Sequence, residues 1–390
     1  MASFLVASLL VASAAGVAPA RSLPARHAVQ LARAPRAAAR MGADHDILLR
    51  VSRGEKADRT PVWMMRQAGR YMKAFRAIST KYPFRQRSET PELAIELSLQ
   101  CWQAFGVDGV IMFSDILTPL PGCGIEFDIL PGKGPQIADP IRSMDDFKSR
   151  VKPLDDPAKS HPFLGEILSS LRKETEGKTT LIGFVGAPWT LAAYSIEGGA
   201  TKNCEIAKRM MHESPETLDA LLDSLTDSIV EYASYQIRSG AQMMQLFDSW
   251  GQHLSPQQFL RFAKPFAERV TVELKARHPE TPIIYFAHGS SGYLELQKDM
   301  SADMLSLDWR CDMKTARQTL GHGVKVAGNV DPLILFAGEA DIRAAVRECI
   351  DDAGRQGHVL NLGHGILQGT PEENVAVFVD EAKRYVRVPA

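Results

Sequence analysis

Eight times between residues 61 and 362 the chain runs through four to eight mostly apolar residues that stop at Gly, Pro, Asp or Asn. The runs are Pro61–Met65, Val107–Ser114, Thr180–Gly186, Ala241–Phe247, Pro282–Ala287, Met304–Leu307, Val324–Gly328 and Val359–Leu362. Each has strand length and near-continuous apolar character, the pattern of strands buried on both faces. Parallel neighbours require a crossover of a dozen or so residues, and the intervening sequence supplies helices. Thr90-Pro91-Glu92 opens one of them with a capping hydroxyl, a proline in the first turn and an acid at the positive end of the dipole. Leu93, Leu97, Cys101 and Ala104 then mark one apolar face. Similar patterns fill Ser214–Ser239, Ser255–His278, Ser290–Met300, Met313–Leu320, Asp341–Arg355 and Pro371–Tyr385. Eight strand–helix units predict an α/β chain folded as a single (β/α)8 barrel of the TIM type, with an open doubly wound sheet as the alternative. The stretch Thr118–Ile137, with its Pro-Gly turns, interrupts the alternation and is expected to form a hairpin over the barrel mouth.

The leader reads differently. Residues 1–43 contain no Asp, Glu or Lys, and Arg21, Arg26, Arg33, Arg36 and Arg40 are spread through an alanine-rich background. Phe4–Val17 is apolar and ends at Ala-Pro-Ala, like the core of a secretory signal, and the basic part beyond it has transit-peptide character. The whole predicts a removable targeting leader, signal plus transit segment, of the kind that addresses proteins to complex plastids of algae. A single plastid or mitochondrial peptide, or a cytosolic protein, is the alternative. Residues 44–390 show no internal repeat and no linker, and form the barrel domain. The five arginines take +5 of a chain whose formal charge is −1, leaving −6 for the remainder. This excludes a general nucleic-acid binder and confines any polyanion site to a local basic pocket. Cys101, Cys123, Cys204, Cys311 and Cys349 are odd in number and lack CxxC spacing, so neither a zinc site nor a disulfide framework is indicated. No later apolar run has the length of a membrane span.

In such barrels the chemistry sits where strands end. Those positions carry Arg66, Asp115, Pro188-Trp189, Asp248-Ser249, His288, Asp308, Asn329 with Asp331, and Asn361 with His364. The first run leads directly into Arg66-Gln67-Ala68-Gly69-Arg70, two guanidinium groups around a turn. Each such fork donates two parallel hydrogen bonds to a carboxylate. Asp115 is set in greasy sequence, where a carboxylate needs donors. It either caps the following loop or stands as an anionic post for a ligand's N–H groups or a cation. Tyr194 lies six residues past Pro188, placing its hydroxyl either at the mouth or in helix packing. His364 sits between Gly363 and Gly365, which allow close approach of backbone or ligand. Asp308, Asn329 and Asp331 also read as plain turn residues.

Six separated blocks resemble the uroporphyrinogen decarboxylase family: Pro61–Tyr71, Phe113–Leu117, Pro131–Pro135, Gly186–Gly199, Leu246–Ser249 and Asn361–Gly365. The resemblance implies a single-domain barrel, usually a homodimer, that removes carboxyl groups from the four acetate side chains of uroporphyrinogen III to give coproporphyrinogen III. It implies no metal and no organic cofactor. It also implies that Arg66, Gln67, Ala68, Gly69, Arg70, Asp115, Tyr194, Ser249 and His364 bind substrate, with Arg66, Arg70, Asp115, Tyr194 and His364 carrying catalysis and Asp115 the key acid. The chain departs from the family pattern at Lys73-Ala74, where Pro-Glu is usual, which leaves the local loop shape and the role of Arg76 open.

The chemistry explains the residue types. Decarboxylation needs an electron sink, often a cofactor. A pyrrole protonated on a ring carbon supplies its own. The site then needs cations for the carboxylates, an anion near the pyrrole nitrogens and a proton donor, for which His364 and an arginine are both candidates. Two rivals remain at this stage. A zinc- or cobalamin-linked methyltransferase of the same barrel superfamily would normally show a His-x-Cys pair, which is lacking here. A non-catalytic tetrapyrrole-binding protein would keep the pocket alone.

Overall fold

The structure, a computed structural model, describes residues 45–385 apart from Arg66, Pro131 and Arg355. The predicted leader up to residue 43 and the predicted site residue Arg66 thus lie outside the described residues.

Strand β1 (Gly109–Ile111) is followed by the hairpin β2 (Phe127–Leu130) and β3 (Gly134–Ile137), then by β4 (Thr180–Gly186), β5 (Met243–Asp248), β6 (Ile283–Ala287), β7 (Met304–Ser306), β8 (Val326–Ala327) and β9 (His358–Val359). The sheet runs β1-β4-β5-β6-β7-β8-β9, and every pairing in it is parallel. The first apolar run is no regular strand. It forms one parallel bridge, Val62 to Leu360. The reason is local. Pro61 has no N–H to donate, and the Val62 N–H is taken by the Asp108 carboxylate at 2.8 Å, itself gripped by both ends of the Arg59 fork. Even so the segment closes the ring. On one side Leu360 donates to the Pro61 carbonyl at 2.9 Å, and on the other Asp108 donates from its backbone to Val62 at 2.8 Å.

The barrel is filled, as this fold requires. Trp63, Ile182, Met243, Ile284, Met304, Ala327 and Val359, one from each of seven neighbouring segments, pack in a single cluster with Ile47, Leu48, Leu49 and Val51. The latter four belong to the helix Ile47–Arg53. Leu48 reaches Gly109, the first residue of β1, so this helix plugs the N-terminal end of the barrel. The opposite end, where the strands finish, is left as the mouth.

Two predicted helices differ. Ser255–His278 divides at Ala263 into Pro256–Phe262 and Lys264–Arg277. Pro265 has no N–H for the Arg261 carbonyl, and its ring crowds that turn. Ser290–Met300 is a kinked 3-10 segment, Ser290–Gln297. Its tertiary contacts outweigh local propensity: the Tyr293 ring stacks on Phe259 at 4.5 Å and its hydroxyl donates to the Gly251 carbonyl at 2.8 Å. The predicted hairpin forms as β2–β3. It leans on the helices flanking the mouth: Ile137 donates to Gly198, and Arg85 to the Phe127 carbonyl.

Candidate active site

Hydrogen bonds join the ends of neighbouring strands from the loop after β1 round to the first segment. Gly186, ending β4, donates to Ile116 in the loop after β1 (3.3 Å), and Ala187 to Phe247 of β5 (2.8 Å). His288, just past β6, donates to Asp248 (3.1 Å). The Asp308 carboxylate beyond β7 accepts the Gly289 N–H, and Asn329 beyond β8 donates to the Asp308 carbonyl at 2.9 Å. Gly363 donates to Val330 at 2.8 Å. Finally Ile366 donates to Met65 at 3.1 Å, while the Asn361 side chain accepts the Met65 N–H at 2.8 Å. His364 therefore lies in a loop stitched on both sides to Met65, the residue before the Arg66–Arg70 turn. The loops bearing Asp115, Ser249, His288, His364 and the arginine turn are held to one rim.

Within that rim the side chains fall into two groups. Asp115 is half-buried, and its Oδ1 accepts the Leu117 N–H at 2.9 Å. Thr118 donates its hydroxyl to the Asp115 carbonyl at 2.8 Å and contacts Ser114 Oγ at 2.9 Å. The aspartate does cap its loop, and capping fixes the direction of the carboxylate while using one of its two oxygens for that bond. Arg70 is exposed. Gln67 is buried, with its amide nitrogen donating to the Gly109 carbonyl (3.2 Å) and its oxygen accepting from Met64 (3.4 Å). Its side chain thus anchors the turn to β1. Arg76, left open by the sequence, folds back to donate to the carbonyls of Arg70 and Tyr71.

The second group centres on histidines and Trp250. The His288 and His364 rings lie 4.6 Å apart, and both contact Phe286. Burial holds the His288 pKa below the usual histidine value; Asp308 and the Ser249 carbonyl oppose that, and Arg310 adds to it. Tyr194 is on the helix Pro188–Glu197, half-buried, its ring 4.5 Å from that of Trp250. Trp250 was passed over by the sequence reading. It is held by Thr190, which accepts the Trp250 N–H at 3.1 Å, and by Trp189, which donates to its carbonyl at 3.2 Å.

Some strand-end residues prove architectural. Asp248 is fully buried between the hydroxyls of Thr190 (2.6 Å) and Tyr285 (2.9 Å), and burial raises its pKa to about 6. Asp308 is buried and accepts backbone N–H groups from Gly289 and Arg310. Asp331 caps the turn Pro332–Phe336. Among the described residues, no three His, Cys, Asp or Glu side chains are grouped as metal ligands.

The uroporphyrinogen decarboxylase (URO-D) family model matches residues 43–385. A uroporphyrinogen decarboxylase of Crocosphaera subtropica is 53% identical over 342 residues, covering 87% of this chain and 96% of its own length. The chain belongs to the uroporphyrinogen decarboxylase family. A Synechocystis member is 52% identical over 344 residues, 87% of this chain and 97% of its own. The chain is accordingly a carboxy-lyase of porphyrin biosynthesis, converting uroporphyrinogen to coproporphyrinogen. The methyltransferase and carrier readings are not favoured. A methyltransferase from Methanosarcina mazei superposes with a TM-score of 0.71 over 87% of this chain and 98% of its own, at 19% identity, which reports a shared barrel alone.

Proposed function

We propose that the decarboxylase chemistry runs on Asp115 and the arginine turn. Arg66 and Arg70 bind carboxylates of the tetrapyrrole, and Asp115 accepts N–H bonds from the pyrroles. Protonation of a pyrrole carbon makes the ring cationic. The acetate C–C bond then breaks, its electron pair enters the ring, carbon dioxide leaves, and an exocyclic methylene remains. A second proton turns the methylene into methyl, and the ring carbon gives up the first proton to restore the neutral pyrrole, so each round consumes one proton net. His364 or an arginine supplies protons, with His288 beside His364 able to pass them on. Tyr194 and Ser249 hydrogen-bond substrate carboxylates.

The observation that carries this reading is the capped Asp115 carboxylate, fixed in direction on the rim to which the Arg66–Arg70 turn is stitched. A carboxylate fixed in direction before substrate arrives costs little reorganisation when the cation forms. At about 4 Å and an effective dielectric near 20, a unit charge pair is worth about 4 kcal/mol, or on the order of 10³ in rate. Asp115→Asn should therefore lower kcat by about that factor in an anaerobic assay with reduced uroporphyrinogen, while melting normally. A variant turning over within tenfold of wild type would reject the role.

Residues 1–43 we assign as a plastid-targeting leader. The cyanobacterial relatives and the acid-poor, arginine-bearing composition support it. Fluorescent protein fused to residues 1–43 should enter algal plastids, and diffuse cytosolic signal would overturn the assignment. A homodimer remains the assembly expected of the family, to be tested by light scattering.

A further inference from the structure

Arg87 lies on the short helix Phe84–Glu89 and is 9% exposed. Its guanidinium carbon sits 5.3 Å from the Phe75 ring centre, 5.3 Å from that of Phe84 and 5.7 Å from that of Phe113. Among the described residues, neither Nε nor Nη1 has a hydrogen-bond partner, although both are enclosed. Nη2 is the guanidinium nitrogen outside that enclosed pair. Aromatic faces attract a cation, but they accept none of its N–H bonds in the plane of the fork.

Other buried arginines show that the fold can pair such a group. Arg317, 3% exposed, donates to the carbonyls of Val324, His322 and Gln356. The half-buried Arg85, two residues before Arg87, is matched to Glu89 at 2.6 Å. Arg87 has no such carboxylate matched to it among the described residues; burial first, and the positive charge of Arg70 second, hold its pKa below the usual value. An enclosed guanidinium with unpartnered nitrogens marks a place for an anion, because a desolvated cation is costly until it is paired. The location fits substrate. Phe113, against which Arg87 packs, directly precedes Ser114-Asp115, and Arg70 closes the arginine turn.

We propose that Arg87 is a third substrate-binding guanidinium, which takes a carboxylate of the tetrapyrrole periphery from its Nη2 side, next to Arg70. The three phenylalanines hold the planar cation in place beforehand, so little side-chain freedom is lost when the carboxylate arrives. This inference rests on the decarboxylase reading of the mouth and extends it to a residue outside every block that identified the family.

The test compares Arg87→Met, Arg87→Lys and wild type, by anaerobic turnover of uroporphyrinogen and by thermal melting without substrate. Met keeps an unbranched apolar chain among the rings and removes the charge; Lys keeps the charge and removes the fork. Arg87→Met should raise KM at least about tenfold with kcat changed far less, since a contact made equally in ground and transition states is lost. Its Tm should equal or exceed that of wild type, because an unpaired buried cation is gone. Arg87→Lys should fall between the two in KM. KM within twofold of wild type in Arg87→Met, or in Arg87→Lys should the Met variant not fold, overturns the proposal and leaves Arg87 a packing residue. Wild type without turnover would instead strike the decarboxylase reading itself.

Discussion

Gly363 is the position where a single methyl group should do most harm. A Cβ built there lies 2.2 Å from the Trp309 backbone nitrogen, 2.6 Å from its Cα and 2.7 Å from its Cβ. Ordinary carbon contacts begin near 3.5 Å, so the two backbones must separate by about 1 Å. No flexible side chain can yield in their place, since two of the three clashing atoms are main chain. Overpacking of this kind costs about 1–3 kcal/mol, a Tm loss of several degrees at most in a barrel of this size. The catalytic effect should be larger. His364 is the next residue, and Gly363 itself donates to Val330 across the rim. A displacement of about 1 Å at a reacting site can cost on the order of 10²-fold. Gly363→Ala should therefore keep its fold by circular dichroism, melt a few degrees low, and lose about 10² in kcat/KM for uroporphyrinogen. Gly292→Ala is the control, because its added Cβ meets nothing within 4 Å. Wild-type kcat/KM and Tm in Gly363→Ala would refute the reasoning.

Other consequences follow from buried groups. The folded pKa of Asp248 lies at about 6, above the usual value near 3.9, so the folded chain holds this proton more tightly than the unfolded one. Its contribution to stability must rise as pH falls through about 6 and be complete near 4. Measured against Asp248→Asn, wild type should thus gain up to about 3 kcal/mol in urea unfolding between pH 7 and pH 4; a difference that stays flat would contradict this. Asp248→Leu should melt lower than Asp248→Asn at every pH, since it strands the Thr190 and Tyr285 hydroxyls. Asn361→Ala leaves the buried Met65 N–H unpaired and should cost about 1–3 kcal/mol, with a raised KM because that bond anchors the entry to the arginine turn. An unchanged urea midpoint and KM would show the bond to be dispensable.

Patterned apolar runs were enough to locate seven strands, because a strand buried on both faces must be apolar at every position and no helix fits its length. The first run was located too, but not its state. Asp108, distant in sequence from Val62, takes the N–H that a ladder would use. Likewise Pro265 marked a break that periodicity bridged, and Tyr293 bent a segment whose spacing was helical. Among functional candidates, Asp115 was legible from its setting, a lone acid in apolar sequence. Trp250 and Arg87 were not, since a tryptophan or arginine near a turn has no distinguishing neighbour in the chain.

Residue order alone established the alternation, the polar strand ends and the family blocks, since each is a local property read within a few positions. Which of those polar groups serve the architecture and which face the mouth depends on partners brought from far along the chain. Asp248 is enclosed because Tyr285 and Thr190 meet it; Arg87 is left unpaired because three phenylalanines surround it. Desolvation and pairing are properties of a place in three dimensions, and they set a charge's role only once the barrel has closed.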